Sequence, residues 1–266
     1  VLTSMYTTFN IVFLGFTSGD VEVGYFSTAT KLYTIIMSVF SAFTTVMIPK
    51  VCELLALRKK EKLQDIANKT FSILIVVSLP IVIFSLFFAN DIILILSGKG
   101  YEGAYTPFRI VIFLLLVIGM EQIVIQQFLM ASTSNKSILK VSTTGAVVGI
   151  TLNLLITPRM GAVGSAIAWG ASETAVLIVG LYLLKKILGI TLEKNVVLTG
   201  LLWSSLYVLP LGIIWTFHFS AWMNVSVSIV LIGLLFSLIN LKLNRNEVLA
   251  ETLNSLIYKF RRVGFQ

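Results

Sequence analysis

Long apolar runs recur along almost the whole of this sequence, and they constrain the fold more than any other feature. Each run is about 20 residues long, which is the length of α-helix that crosses the hydrocarbon core of a bilayer. Charged residues make up 12% of the chain, about half of the share in soluble domains, and the mean hydropathy is +0.95. A β-barrel would instead show alternating segments of about ten residues. The sequence therefore predicts an all-α, polytopic membrane protein.

About eight of these runs are predicted to be transmembrane helices, at residues 1–16, 25–48, 70–89, 107–131, 138–157, 162–183, 196–217 and 220–241. The predicted division is a six-helix lobe, a further pair of helices and a basic tail, at residues 1–183, 184–241 and 242–266. Because Val1 already lies inside an apolar run, we expect the chain to be the C-terminal part of a longer protein.

The charges between the apolar runs alternate along the chain, and this alternation predicts the topology. Connections rich in lysine and arginine are expected in the cytoplasm, and they are residues 49–69, 132–140, 184–195 and the tail after 241. Connections with at most one strong cation are expected outside, and they are 17–24, 90–106 and the turns at Arg159 and His218. Both ends of the segment are therefore predicted to be cytoplasmic.

The tail carries Leu249, Leu253, Leu256 and Phe260 on one helical stripe with cations beside it. This pattern predicts an amphipathic helix on the anionic inner leaflet. The alternative is a solvated tail without a membrane contact.

The net charge of +8 is explained by these cytoplasmic connections, so no nucleic-acid partner is predicted. The single cysteine, Cys52, offers no disulfide or zinc site. Residues 97–100 (SGKG) lack the first glycine and the hydroxyl residue of a phosphate-binding loop. His218 is the single histidine, at a predicted helix end. We predict no catalytic residue, no metal site and no cofactor.

Small residues on the fifth and sixth runs predict a closely packed helical hairpin. Gly145 and Gly149 lie four residues apart, and two small-residue faces follow at Gly164, Ala168 and Ser172 and at Ala162, Ala166 and Gly170. Such spacing lets helices approach closely in lipid. Asn153 and Glu173 on the same helices are predicted to be buried structural polar groups.

The candidate site residues are polar or ionisable side chains inside the apolar runs. Glu121, with Gln122 beside it, lies near the middle of its run, where a charge is costly. It is a candidate for a proton or substrate contact, and hydrogen bonding to neighbouring helices is the alternative. Lys31 either projects into a cavity or extends to the outer surface. Asn10 is a candidate cavity amide, and Arg109 is a weaker candidate that could anchor the interface.

Three stretches carry a resemblance to a known family. They are MYTTFNIVFLG at 5–15 with EVGYFSTATKL at 22–32, MIPKV at 47–51, and NLLITPRMGAVGSAIA at 153–168. These resemble bacterial polysaccharide-lipid flippases of the Wzx type, in the exporter superfamily that includes multidrug and toxin extrusion transporters. The similarity covers most of residues 1–183. Full members have twelve or fourteen helices in two lobes, so the resemblance implies that this chain is the C-terminal lobe and that an N-terminal lobe is missing.

The resemblance implies a cargo and a mechanism. The cargo would be an undecaprenyl-diphosphate-linked oligosaccharide, moved from the inner to the outer leaflet of the bacterial cytoplasmic membrane for O-antigen or capsule synthesis. Transport would use alternating access and a gradient of H⁺ or Na⁺, with Lys31 as the best match to a cationic cavity. The implied partners are membrane lipids, the missing lobe and polysaccharide polymerase machinery. The alternatives are a multidrug or lipid II exporter of the same superfamily and a membrane polymerase or ligase.

Overall fold

The computed structural model describes residues 2–132, 135–217 and 219–238, and these residues form helices and connections without a strand. The helices are α1 (Leu2–Ser18), α2 (Asp20–Ala56), α3 (Lys60–Phe87), α4 (Ala89–Ser97), α5 (Tyr105–Gln122), α6 (Asn135–Leu188), α7 (Lys194–Ser205), α8 (Val208–Thr216) and α9 (Ala221–Leu238). The prediction of an all-α polytopic protein is confirmed. The predicted tail helix and His218 lie outside the described residues.

Six helical stretches in the described part are long and apolar enough to cross a membrane. They are Asp20–Ala56, Lys60–Phe87, Glu102–Leu129, Lys136–Leu188, Lys194–Thr216 and Ala221–Leu238. A straight helix of 53 residues would be about 80 Å long, well over twice the thickness of the hydrocarbon core. That stretch bends at Gly161, whose backbone angles (φ 53°, ψ −131°) are not helical. Lys136–Leu188 therefore provides two crossings, as the predicted hairpin requires.

Three elements differ from the predicted runs. A short helix, α4, occupies part of the predicted outer connection 90–106. The predicted span 196–217 is divided into α7 and α8 by turns at Leu206 and Tyr207. The span ending near residue 131 changes from an α-helix to a π-helix at Ile123–Leu129. The length and hydrophobicity of an apolar run indicate a helix that crosses the membrane. They do not indicate where the hydrogen-bonding pattern within that helix changes.

The core lies where α2, α3, α5 and α6 meet, and α1 packs along α6. Its largest buried side chains include three phenylalanines with at most 1% exposure, and they are Phe71, Phe108 and Phe128. Outside this core, α7 packs on α3 and α9 packs on α4. A Cβ atom at Gly200 of α7 would lie 2.3 Å from Cγ2 of Ile75, so glycine is what allows α7 to approach α3 this closely.

The two arms of α6, residues 135–160 and 162–188, pack through the small residues that the sequence singled out. The Ser172 hydroxyl donates to the Gly145 carbonyl at 2.8 Å. A Cβ atom at Gly164 would lie 2.9 Å from the Ile156 carbonyl oxygen. The prediction of a closely packed hairpin is confirmed.

Candidate functional site

A polar groove runs along the faces of α1, α2, α5 and α6. Its central cavity has a volume of about 490 Å³, and a smaller cavity of about 210 Å³ continues from it at each end. The three cavities share lining residues, namely Thr34 and Trp169 on one side and Glu121, Gln122 and Gln126 on the other. We call this continuous feature the polar groove. Apart from Asn10 on α1, its polar side chains lie within helices that are long enough to cross the membrane.

The centre of the polar groove contains two carboxyl groups, one from each of two helices. Glu121 projects from the end of α5 and contacts Glu173 on the second arm of α6. The indole Nε1 of Trp169 donates to Oε1 of Glu173 at 2.8 Å. Gln122 exchanges hydrogen bonds with the Ser41 hydroxyl on α2, at 2.9 and 3.1 Å. The groove floor is therefore held by hydrogen bonds that connect α2, α5 and α6.

Aromatic rings form the wall next to the carboxyl pair. Trp169 packs edge-on against Tyr33 and Phe26, with ring centroids 5.4 and 6.2 Å apart. These edge-to-face contacts fix the orientation of the indole ring. Because Trp169 also lines two of the cavities, one face of a rigid aromatic group is available beside the polar floor.

A buried hydrogen-bond network lies at one end of the groove. Asn10 on α1 donates to the Ser165 carbonyl at 3.4 Å and accepts a hydrogen bond from the Asn153 amide. Thr157 in turn donates to Asn153 and lies 3.3 Å from the Ser165 hydroxyl. Interhelical hydrogen bonds of this kind hold helices together in lipid. The network attaches α1 to both arms of α6.

The candidate residues from the sequence fall into three positions. Glu121, Gln122 and Asn10 line the polar groove. Lys31 is exposed; its spacing from Thr34 places it on the same face of α2, one turn from the groove. Arg109 is also exposed, and it donates to Asn90 of α4 at 3.3 Å, away from the groove.

The two residues predicted to be buried structural groups differ from each other. Asn153 is 3% exposed and belongs to the network with Asn10. Glu173 is also 3% exposed, but it lines the groove beside Glu121. The structure therefore adds Glu173 to the candidate site.

Sequence reasoning missed the hydroxyl side chains of α2 and the indole of Trp169. Thr34, Ser38 and Ser41 line the central cavity from α2. Their spacing of four and three residues inside an apolar run is a signal that could have identified this face. Trp169 stands between small residues on the hairpin, and that isolation is a weaker signal.

Within the described ranges, no group of three or more His, Cys, Asp or Glu residues could hold a metal ion. The polar groove instead offers amides, hydroxyls, one indole and two carboxyl groups. These groups can form hydrogen bonds with a hydroxyl-rich ligand and can bind protons.

Comparison with known proteins gives one match. A family model described as "Lipid II flippase MurJ" matches residues 10–236, which include all of the residues that line the polar groove. No curated protein and no solved structure matches the chain.

Proposed function

Because the chain belongs to the lipid II flippase MurJ family, we propose that it moves a lipid-linked saccharide across the bacterial cytoplasmic membrane and that lipid II is its cargo. Members of this family are lipid flippases, and the helices of this chain are those of a multi-pass membrane protein. The observation that carries the proposal is the extent of the family match, which runs from α1 to α9.

The chemistry of the polar groove supports a saccharide cargo. Amide side chains such as Gln122 and Gln126 offer both donors and acceptors to sugar hydroxyls. The ring of Trp169 offers a flat apolar surface beside them. Because these groups lie on apolar helices that can cross the membrane, they provide a polar path for a headgroup that lipid alone would exclude.

Lys31 is the proposed contact for the diphosphate of the cargo. It is a flexible cation on the groove face of α2 and is exposed, so its ammonium group can reach an anion without being buried first. A hydrogen bond to a charged group is worth about 1.5–3 kcal/mol. Loss of this contact should therefore weaken apparent cargo affinity about tenfold or more.

An oligosaccharide-lipid is the second candidate cargo. It is favoured by the stretches at 5–15 with 22–32, 47–51 and 153–168, which resemble polysaccharide-lipid flippases. Lipid II and this alternative share a diphosphate and a saccharide, so one groove chemistry suits both. A gradient of H⁺ or Na⁺ is the proposed energy source. The roles of an additional lobe and of polymerase partners stay predictions.

The cargo is tested in cells whose own lipid II flippase can be switched off. The intact gene product is expressed, and an impermeant enzyme that cleaves lipid II reports the fraction in the outer leaflet. Restored outer-leaflet lipid II is expected. A parallel strain lacks its oligosaccharide-lipid flippase. Rescue in that strain alone would overturn lipid II as the cargo and support the second candidate.

Lys31→Ala and Lys99→Ala provide a matched pair for the diphosphate contact. Both lysines are exposed, but Lys99 lies in the connection after α4 and away from the groove. Lys31→Ala should slow export, whereas Lys99→Ala should not. Equal export by both variants, at equal protein levels, would contradict the role of Lys31.

A further inference from the structure

Glu121 and Glu173 can form a hydrogen bond with each other only when one of the two carboxyl groups is protonated. The two carboxyl groups belong to different helices, line the same cavity and are hydrogen-bonding neighbours. An ionised carboxylate can only accept hydrogen bonds, whereas a protonated one can donate. A hydrogen bond between the two groups therefore requires that one of them holds a proton.

The surroundings of Glu121 offer little compensation for a negative charge next to Glu173. Glu173 is almost fully buried and already accepts one hydrogen bond from Trp169. The second oxygen of Glu121, Oε2, is buried and has no hydrogen-bond partner among the described residues. Like charges in contact repel, and the repulsion grows as burial lowers the local polarity.

The charged and titratable groups around the pair can be named for each adjacent helix. Glu173 on α6 is the charged group that acts on Glu121, and Tyr33 on α2 is the titratable group that faces both carboxyls. Lys140, on the first arm of α6, lines a separate trough with Thr143. Among the described groups that act on Glu121, none is a cation.

The pair lies beside a change in helix geometry. Glu121 is two residues before the π-helical segment Ile123–Leu129, and such segments are frequent at functional sites. Next to it, Gln122 bonds to Ser41 and so joins α5 to α2. A repulsive force between Glu121 and Glu173 would thus act where α5 already departs from regular hydrogen bonding.

We propose that Glu121 and Glu173 form a proton-binding site that keeps α5 and α6 together while one proton is shared between the two carboxyl groups. Loss of the proton leaves two carboxylates in contact, and the helices separate at the π-helical segment. The proton leaves to water in the polar groove and returns by the same route. Coupling of this step to export rests on the proposed function, whereas proton binding itself does not.

The first test measures the proton directly in the purified gene product. A protonated carboxyl group has an infrared carbonyl band that a carboxylate lacks. Wild type should show this band at neutral pH and lose it as the pH rises, and the double variant Glu121→Gln with Glu173→Gln should lack it. Glu53→Gln is the control, since Glu53 is exposed and paired with Lys50. Identical wild-type and double-variant spectra would overturn the proposal.

The second test measures separation of the helices. Ser142 lines the small cavity next to Glu121, whereas Thr143 lines the separate trough. In a Cys52→Ser background, the maleimide labelling rate of Ser142→Cys is divided by that of Thr143→Cys, which cancels the pH dependence of the reagent. The ratio should rise about fivefold or more with pH. A factor of about five is the lower end of the range typical for coupling between two sites.

Glu121→Gln is the decisive variant in this second test, because it resembles the protonated side chain. It should hold the labelling ratio constant across the same pH range. A ratio that rises equally in wild type and in Glu121→Gln would contradict the inference. Neither test contains a cargo, so a failed export assay and a failed proton site give different results.

Discussion

Asn153 is the residue on which the attachment of α1 to α6 most depends. Its amide nitrogen donates to Asn10, and its oxygen accepts from Thr157. Asn153→Ala removes both hydrogen bonds and leaves the buried amide oxygen of Asn10 without this donor, whereas Thr157 keeps the Ser165 hydroxyl at 3.3 Å. We expect a loss of about 1–2 kcal/mol in the free energy of unfolding, measured as a lower melting temperature in detergent.

Asn90→Ala is the control for that substitution. Asn90 is exposed and accepts one hydrogen bond from Arg109 at 3.3 Å, so its loss should cost less than about 0.5 kcal/mol. Equal melting temperatures for Asn153→Ala and wild type would show that the network does not stabilise the fold.

The residue scale also shows what sequence reasoning could and could not predict. Burial of Asn153 followed from its position, because a polar group in lipid must find a partner. The positions of Lys31 and Arg109 did not follow, since a long side chain can reach either a cavity or the surface. The meeting of Glu121 with Glu173 depends on the rotation of two helices about their axes, which residue spacing within each helix does not determine.

At the scale of an element, the bend in α6 depends on Gly161. Its φ of +53° is a backbone conformation that favours glycine. A Cβ atom there would also lie 2.4 Å from Oε2 of Glu22, and that same oxygen accepts from the Ala162 amide at 2.7 Å. Gly161→Ala should therefore lower the free energy of unfolding by about 1–3 kcal/mol, measured by thermal unfolding in detergent.

Gly233→Ala separates this effect from the general effect of replacing a glycine. Gly233 lies in α9, and a Cβ atom there would meet nothing within 4 Å. Alanine should be neutral at this position, or stabilising by up to about 1 kcal/mol. If both variants change stability in the same direction, the bend does not depend on the glycine.

The π-helical segment places adjacent glutamines in different environments. Gln126 lines the polar groove, whereas Gln127 is fully buried and its amide lies 3.4 Å from the Thr70 hydroxyl. In a Cys52→Ser background, Gln126→Cys should react with a water-soluble maleimide and Gln127→Cys should react only after unfolding. Comparable native labelling rates would contradict this placement.

Helix boundaries were less predictable than the helices themselves. The apolar runs located every crossing helix in the described part, because transfer into lipid depends on total hydrophobicity. The division between α7 and α8 and the π-helical segment were missed, because both lie inside continuous apolar sequence. Their positions depend on tertiary contacts, such as those of the buried Tyr207 with its apolar neighbours.

At the scale of the whole molecule, contacts between connections show which of them share a side of the membrane. The Ala162 backbone amide donates a hydrogen bond to the Glu22 carboxylate. The ring of Tyr101 packs against that of Tyr25, with 6.4 Å between the centroids. These contacts bring together three connections that are poor in cations. The Asn224 side-chain amide donates to the Asp91 carboxylate at 2.8 Å. This bond places the start of α9 at the same end of the molecule.

The opposite end is held by a second set of contacts. Gln64 donates to the Thr191 carbonyl at 2.7 Å, and Asn68 donates to Glu193 at 2.6 Å. These bonds join two connections that are rich in lysine. The grouping of connections agrees with the alternation of charge along the sequence. Charge then predicts that the lysine-rich end is cytoplasmic.

Cysteine labelling in intact cells tests this orientation. Lys62 and Lys99 are both exposed and lie at opposite ends of the helices, so Lys62→Cys and Lys99→Cys form a matched pair in a Cys52→Ser background. An impermeant maleimide should label Lys99→Cys in intact cells and should label Lys62→Cys only after the membrane is permeabilised. The reverse pattern would invert the orientation and leave the fold unchanged, because the contacts fix which connections lie together and the charges alone predict which side they face.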